Sequence, residues 1–330
     1  MKILITGGTG SIGESVLREL AKDPSVTQIT VLSRDEFKQH QLRCELQSKK
    51  IRFVLGDIRD KQSLMKPFKG IDVIFHTAAF KHVDLGESMP EEFVKTNILG
   101  TINVFDAAEE NGVKKVVLLS TDKAAHATSV LGMTKGIAER IMIARANSGS
   151  KTVFSAVRLG NVLASRGSVI PLFVDAIKNK KAITLTDPEM TRFMISLPET
   201  AKFISFALQH GKQGDIFIKK CDVMEMGNVA KALLHIFNSD VAIKIVGRRD
   251  GERTHEILAN QTELSQSEDM GGYFRISNSI GGLNKKTSKK SAQKQNLDYA
   301  SNLVKPLTLE ETEKKLRSLD YISNELVNKK

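Results

Sequence analysis

Ile3-Leu4-Ile5-Thr6-Gly7-Gly8-Thr9-Gly10-Ser11-Ile12-Gly13 is the stretch that decides the fold. A short apolar run leads straight into a glycine loop, and the loop opens a helical pattern. That context turns a glycine motif into a sign of dinucleotide binding. Gly7 permits the tight turn, Gly10 lets the backbone approach a pyrophosphate, and Gly13 allows close packing of the helix. Thr9, Ser11 and Ile12 complete the loop. The helix N-terminus then turns unpaired N–H groups and a favourable dipole toward the phosphates.

Outward from this loop, short β-branched runs alternate with amphipathic helical patterns, the βαβ signature of a parallel sheet. Strands are expected at Lys2–Thr6, Gln28–Ser33, Ile51–Leu55, Val73–His76, Lys115–Ser120 and Thr152–Arg158. The expected fold class is α/β, a doubly wound Rossmann sheet over residues 1–175. A smaller substrate-binding lobe is expected over residues 176–330, some of whose segments return to the sheet. In that half the alternation turns irregular, with strand-like patches near Ile183–Thr186, Asp215–Ile218 and Ala242–Val246 and helical ones at Glu199–His210, Met226–Phe237 and Thr308–Leu319.

The tip of the second strand discriminates between cofactors. An acidic residue there would bind a ribose 2′-OH and repel a 2′-phosphate, whereas Ser33-Arg34 offers a hydroxyl and a guanidinium suited to the phosphate. NADP is therefore expected, with the alternative that Arg34 merely pairs with Asp35 or Glu36. Asp57-Ile58 stands where an adenine-contacting pair is expected, or else forms a plain turn.

Composition narrows the function classes. The 330 residues are 41% hydrophobic and carry a net charge of +11. Part of the excess is local, since Lys285, Lys286, Lys289, Lys290 and Lys294 fall in a Ser/Gly/Asn-rich stretch without interleaved aromatics. It reads as a solvated loop and not as a nucleic-acid arm. Cys44 and Cys221 fit neither a disulfide framework nor a zinc pattern, so no metal is expected and a reducing compartment is. With no apolar run of membrane-spanning length and no signal-like start, the expectation is a cytoplasmic protein without a membrane partner.

Further segments carry a resemblance: Thr77-Ala78-Ala79, Lys95-Thr96-Asn97, Ser120-Thr121-Asp122-Lys123-Ala124, Thr134-Lys135, Arg158-Leu159-Gly160-Asn161, Arg166-Gly167-Ser168 and Thr186-Asp187-Pro188-Glu189-Met190-Thr191-Arg192. Together they resemble the extended short-chain dehydrogenases, more narrowly the UDP-N-acetylglucosamine 4,6-dehydratases and related polysaccharide-biosynthesis epimerases. The resemblance runs from Met1 to about Glu256 and returns weakly at Leu297–Leu309. It implies cofactor contacts at Ala78, Ala79 and Lys135, sugar-nucleotide contacts at Lys81, Asn161, Ser168, Val169, Thr186 and Glu252, and diphosphate ligands at Arg192 and Arg249. It also implies a UDP-linked amino sugar as substrate and a homo-oligomer, hexameric or tetrameric.

The same residues make chemical sense by themselves. Lys135 can bond the nicotinamide ribose and place positive charge beside the reacting centre. Thr121, Asp122 and Lys123 leave the carboxyl end of the fifth strand, where Rossmann sheets bind ligands, and supply a hydroxyl, an acid and a base. One departure stands out. The general family has a catalytic tyrosine four residues before the lysine, whereas this chain has Leu131, and its tyrosines are Tyr273, Tyr299 and Tyr321. A hydrocarbon cannot relay a proton, and His126 is one candidate substitute. The resemblance implies a dehydratase in which Asp122 protonates the departing C6 hydroxyl and Lys123 takes the C5 proton. The alternatives are a 4-epimerase acting on UDP-N-acetylglucosamine or UDP-glucose, and an NADP-binding sensor without catalysis.

Overall fold

The computed structural model describes residues 1–248, 251–277 and 297–327. Arg249 and the Lys-rich stretch around Lys285–Lys294 lie outside the described residues. Lys2–Thr6 (β1), Gln28–Ser33 (β2), Ile51–Leu55 (β3), Val73–His76 (β4), Lys115–Thr121 (β5) and Val153–Leu159 (β6) lie in a nine-stranded sheet in the order β3-β2-β1-β4-β5-β6. Ile216–Lys219 continues it in parallel beside β6, and Tyr273–Ile276 and Ser267–Asp269 close that edge antiparallel. The Asp215–Ile218 patch therefore belongs to the main sheet, recruited there from the second half of the chain.

Ile3, Leu4 and Ile5 of β1 are wholly buried, as the continuous apolar runs of parallel strands require when helices cover both faces. On one face Phe105 and Met142 pack against Phe154; on the other Val16, Leu17 and Phe203 pack against Ile5 and Phe217. Helix Leu197–His210 begins two residues before the expected Glu199 because Ser196 and Glu199 form a reciprocal capping box. A third core, including Phe173, Met190, Met226, Phe237 and Leu316, lies under a three-stranded sheet of Asn161–Val162, Thr191–Ile195 and Asp222–Glu225. This core draws on residues on both sides of position 175, among them Ile170, Phe173 and Val174 as well as Met226 and Phe237. Among the described residues no helix is long and apolar enough to cross a membrane.

The strand order reverses at β1, which pairs with both β2 and β4. Helices leave to opposite faces there and open a crevice at the carboxyl ends. His76 ties the two strands beneath that crevice: its Nδ1 lies 2.7 Å from Thr6 Oγ1 and its Nε2 3.0 Å from Thr101 Oγ1. Burial, with Lys135 adding to it, pushes the imidazole down from 6.5 to about 3. The unfolded chain therefore takes up a proton below about 6.5 that the folded form refuses, so this group's contribution to stability falls as pH drops from 6.5 toward 3. Replacing His76 with Gln should flatten that part of the profile, measured as the difference in denaturation midpoint between pH 7 and pH 5 for parent and variant.

Candidate active site

The crevice holds a cavity of about 660 Å³ running from the glycine loop past the end of β5 to the segment around Glu252. At its floor Gly7 adopts φ +67°, and a Cβ there would fall 2.7 Å from Ala78 Cα; one on Gly13 would fall 2.6 Å from Gly7 O. Only glycine lets α1 (Ser11–Lys22) approach this closely. Gly10 occupies the N-cap of α1 with no side chain capping the helix, so the first-turn N–H groups are left for an anion. Thr9, Ser11, Ile12 and Ala79 line the same end, and Ala78 packs beneath Gly7. This cradle fits a dinucleotide pyrophosphate.

Above it, Arg166 donates to Thr9 O at 2.5 Å and to Glu14 at 3.0 Å, while its backbone N–H donates to Ser11 Oγ. Lys81, whose ammonium burial pushes down, donates to Arg166 O at 2.7 Å. The Arg166–Ser168 turn thus straps over the glycine loop. In the sequence, nothing beyond its place in the Arg166-Gly167-Ser168 motif marks Arg166 for this role.

The second-strand tip is more constrained than its sequence implies. Ser33 is buried, its Oγ accepting from Gln39 Nε2 at 3.0 Å. Arg34 does not pair with Asp35, which caps the next helix and binds Lys38; it lies 3.6 Å from Asp57 and over the ring of Phe80 at 5.3 Å. Asp57 is also bound by Arg59 at 2.7 Å. The Ile58 side chain does not reach the cavity: it is buried against Gly100, where an added Cβ would meet Ile58 Cδ1 at 2.8 Å. Phe80 and Lys38, unremarked in the sequence, line the cavity.

At the end of β5, Lys135 Nζ donates to Leu119 O at 2.6 Å, and burial, opposed by Glu139, pushes its ammonium down to about 8. Leu131 also faces the cavity. Asn97 sits in a π-helical turn, Val94–Leu99, bonding the backbone of Phe80 in both directions and Thr134 Oγ1 at 3.1 Å. It therefore fixes the helix that carries Lys135. π-Turns of this kind are frequent at functional sites.

Thr121 Oγ1 donates to Asp122 Oδ1 at 2.7 Å, and Lys123 Nζ donates to the same oxygen at 3.1 Å. The Lys123 ammonium also lies 2.9 Å from Glu256 Oε1, a residue the sequence reading left without a role. Burial pushes the Asp122 carboxyl up, helped by the charge of Glu256. Lys123, although buried, is held above its ordinary value by the two carboxylates, and Glu256 is held below its own by Lys123 and Arg192 in spite of burial.

The diphosphate role expected of Arg192 is corrected. Its Nη1 donates to Thr191 O and Thr254 O, its Nη2 to Arg253 O at 2.7 Å, and its Nε lies 3.7 Å from Glu256. With its donors spent on carbonyls, it anchors the segment that carries Glu256. Thr186 stands off the cavity wall, 3.4 Å from Glu252 Oε1. His126 is also corrected as a base: it faces Asp298 at 3.4 Å and does not line this cavity. Asn161, Ser168, Val169 and Glu252 do line it. Asp122 Oδ2, Asn161 Oδ1, Ser168 Oγ and Glu256 Oε2, all on lining residues, are buried without a hydrogen-bond partner, a cost usually met by a ligand or water.

The chain matches the family model of polysaccharide biosynthesis proteins over residues 3–278. It belongs to that family. It is 44% identical over 336 residues to a protein of Rickettsia bellii (strain RML369-C) named UDP-glucose 4-epimerase, covering 99% of this chain and 98% of that one. A Rickettsia prowazekii (strain Madrid E) protein of the same name is 41% identical, with the same coverage. Among solved structures, Pen from Bacillus thuringiensis superposes with a TM-score of 0.89 at 35% identity, covering 96% of this chain and 97% of that chain. DesIV, a dTDP-glucose 4,6-dehydratase from Streptomyces venezuelae solved with NAD and TYD bound, gives 0.73 at 25% identity, covering 77% and 87%. The chain is thus an extended short-chain dehydrogenase-type enzyme that modifies sugar nucleotides.

The cradle geometry predicts that Gly13→Ala, by overpacking worth about 1–3 kcal/mol, weakens dinucleotide binding roughly tenfold or more while the protein stays folded. Titration with cofactor beside a thermal melt checks this; parent-like affinity would make the close approach irrelevant to binding.

Proposed function

We propose that this protein is a UDP-N-acetylhexosamine 4,6-dehydratase working with NADP and acting on UDP-N-acetylglucosamine, as a homo-oligomer in the cytoplasm. The observation that carries this reading is the contiguous set Thr121, Asp122 and Lys123, linked at 2.7 and 3.1 Å beside Lys135. A 4-epimerase needs no acid at C6, so an acid–base pair at this edge favours elimination.

The cofactor supplies a hydride acceptor and donor, so that oxidation at C4 and reduction at C6 cancel. Gly7, Gly10, Gly13 and Ser11 would hold its pyrophosphate, Arg34 and Lys38 its 2′-phosphate, and Lys135 its nicotinamide ribose. Of the pocket residues described, Lys38, Lys81, Lys123, Lys135, Arg166, Arg192 and Arg253 outnumber Asp84, Asp122, Glu252 and Glu256, a balance that favours a diphosphate.

With Leu131 unable to relay a proton, Thr121 passes the C4 hydroxyl proton to Asp122. The Asp122 side chain is only 1% exposed, and Thr121, which lines the cavity beside it and bonds its Oδ1 at 2.7 Å, is placed to carry the proton between substrate and carboxylate. A carboxyl displaced upward by burial accepts that proton readily. The new C4 ketone acidifies C5. Lys123, as the free amine, removes the C5 proton while Asp122 returns its proton through Thr121 to the C6 oxygen, which leaves as water. After C6 is reduced, Lys123 reprotonates C5 and the pair regains its starting state. The proton lost at C4 departs in the water.

A second reading, a 4-epimerase, is favoured by the name its Rickettsia relatives carry. Incubation with UDP-N-acetylglucosamine in deuterated water separates the two. A dehydratase forms a product lighter by one water, with deuterium at C5 and the C4 hydride carried undiluted to C6; an epimerase leaves mass and C5 unchanged. Asp122→Asn and Lys123→Ala should each lower turnover by roughly 10²–10⁴-fold with cofactor binding intact. Near-normal turnover in Lys123→Ala would sink its assignment. Arg34→Ala should erase most of a preference for NADP(H) over NAD(H), and equal affinities in the parent protein would refute the NADP choice.

A further inference from the structure

Lys123 cannot act as the C5 base in the protonation state that its surroundings favour. As the C5 base it must be an amine, yet its Nζ lies between two carboxylates, 3.1 Å from Asp122 Oδ1 and 2.9 Å from Glu256 Oε1, which hold it as the ammonium. In the proposed cycle Asp122 cannot relieve it, because Asp122 is filled by the proton from C4. Glu256 is the other acceptor in contact.

The position of Glu256 is built by several elements. Its backbone N–H donates to Ser301 Oγ at 2.9 Å, and the Ser301 N–H donates back to Glu256 O at 2.8 Å. Ser301 Oγ lies 2.6 Å from Thr191 Oγ1, which also contacts His255 Nδ1. The carboxylate faces Lys123, with Asp122 behind it, from the end of β5 and Arg192 from Thr191–Ile195; Arg253 lies within its own segment, and Glu252 meets Arg192 at 4.0 Å. Its second oxygen, Oε2, is buried with no partner, leaving it room to carry a proton.

We propose that Glu256 is a positioning residue that acts through Lys123, taking the ammonium proton across their 2.9 Å contact and so releasing the amine for the C5 step. The N–H bond on Nζ breaks, an O–H bond forms on Glu256, and no electrons change hands. The cluster holds one mobile proton at rest, on Lys123; during the cycle it moves to Glu256 and afterwards returns. Closing the cavity over substrate favours the transfer, since exclusion of water penalises the ammonium–carboxylate pair relative to the neutral acid and amine.

The inference rests on the dehydratase reading, and one set of measurements separates their failures. Glu256→Gln keeps size and hydrogen bonding but cannot take the proton, so Lys123 must lose it to solvent. At pH 7 its kcat for water loss and its rate of C5 deuterium incorporation should both fall by roughly 10²-fold, with cofactor affinity unchanged. The ratio of variant to parent kcat should then climb about tenfold per pH unit between pH 7 and 9, as solvent takes over. A structural defect would not produce that slope. Glu256→Asp, which withdraws the acceptor by one methylene, should be slower than the parent with the parent's pH shape, and it carries the test where Glu256→Gln does not fold. A pH-independent ratio for Glu256→Gln, or parent-like kcat in Glu256→Asp, overturns the proposal while the dehydratase reading stands. A parent enzyme that neither loses water nor exchanges C5 overturns both.

Discussion

The architecture of the site depends on one constraint: charges removed from water must find partners. Asp122, Lys123, Glu256 and Arg192 are all substantially buried, and each is placed by the others. Pairing Lys123 with Glu256 draws the segment after residue 250 onto the end of β5, and the carbonyl bonds of Arg192 hold that segment in place. The lobe is thus fastened to the sheet at the point where chemistry is proposed. A second buried ion cluster, Arg158 with Glu139 and Glu263, does the same one strand away, with Ser120 bonded to Glu139. Removing one partner from such a cluster leaves an uncompensated charge, which is why these contacts define the fold more sharply than surface pairs do.

The glycine loop contributes a different kind of order. Its close approaches at Gly7 and Gly13 are steric, independent of charge, and they aim the start of α1 at the phosphate position. The Arg166 strap then crosses this loop from the lobe side. The glycine loop and the Thr121-Asp122-Lys123 cluster therefore open on one continuous cavity, a shape suited to the proposed cycle, in which hydride leaves and returns without release of the cofactor.

Much of the sheet was legible in one dimension. β1, β2 and β4 begin and end where the apolar runs do, since continuous burial on both faces demands such runs, and β3 keeps its expected bounds as a half-exposed strand at the sheet edge. The glycine cradle and the Thr121-Asp122-Lys123 cluster were legible too, because their meaning is local: a turn that only glycine can make, and three adjacent groups at a strand end. Ile58, His126 and Arg192 show the limit. Each has the right chemistry for the role expected of it, and each is aimed elsewhere by neighbours distant in sequence: Gly100, Asp298, and the carbonyl groups of Arg253 and Thr254.

By itself, then, the sequence determined the α/β class, the positions of the first six strands and the tight glycine turn, along with the absence of a tyrosine ahead of Lys135, because each follows from residue type and short-range spacing. Only the tertiary structure decided that Ile216–Lys219 enters the main sheet and that Glu256 faces Lys123. The same holds for Arg192, whose donors turn out to be spent on carbonyl groups. Pairing between residues this far apart depends on how the lobe folds back over the sheet, and in the sequence nothing distinguishes Glu256 from the many other acidic residues. Its identity as the partner of Lys123 comes from burial: a carboxylate only 3% exposed needs a cation in contact, and the folded lobe puts Lys123 there.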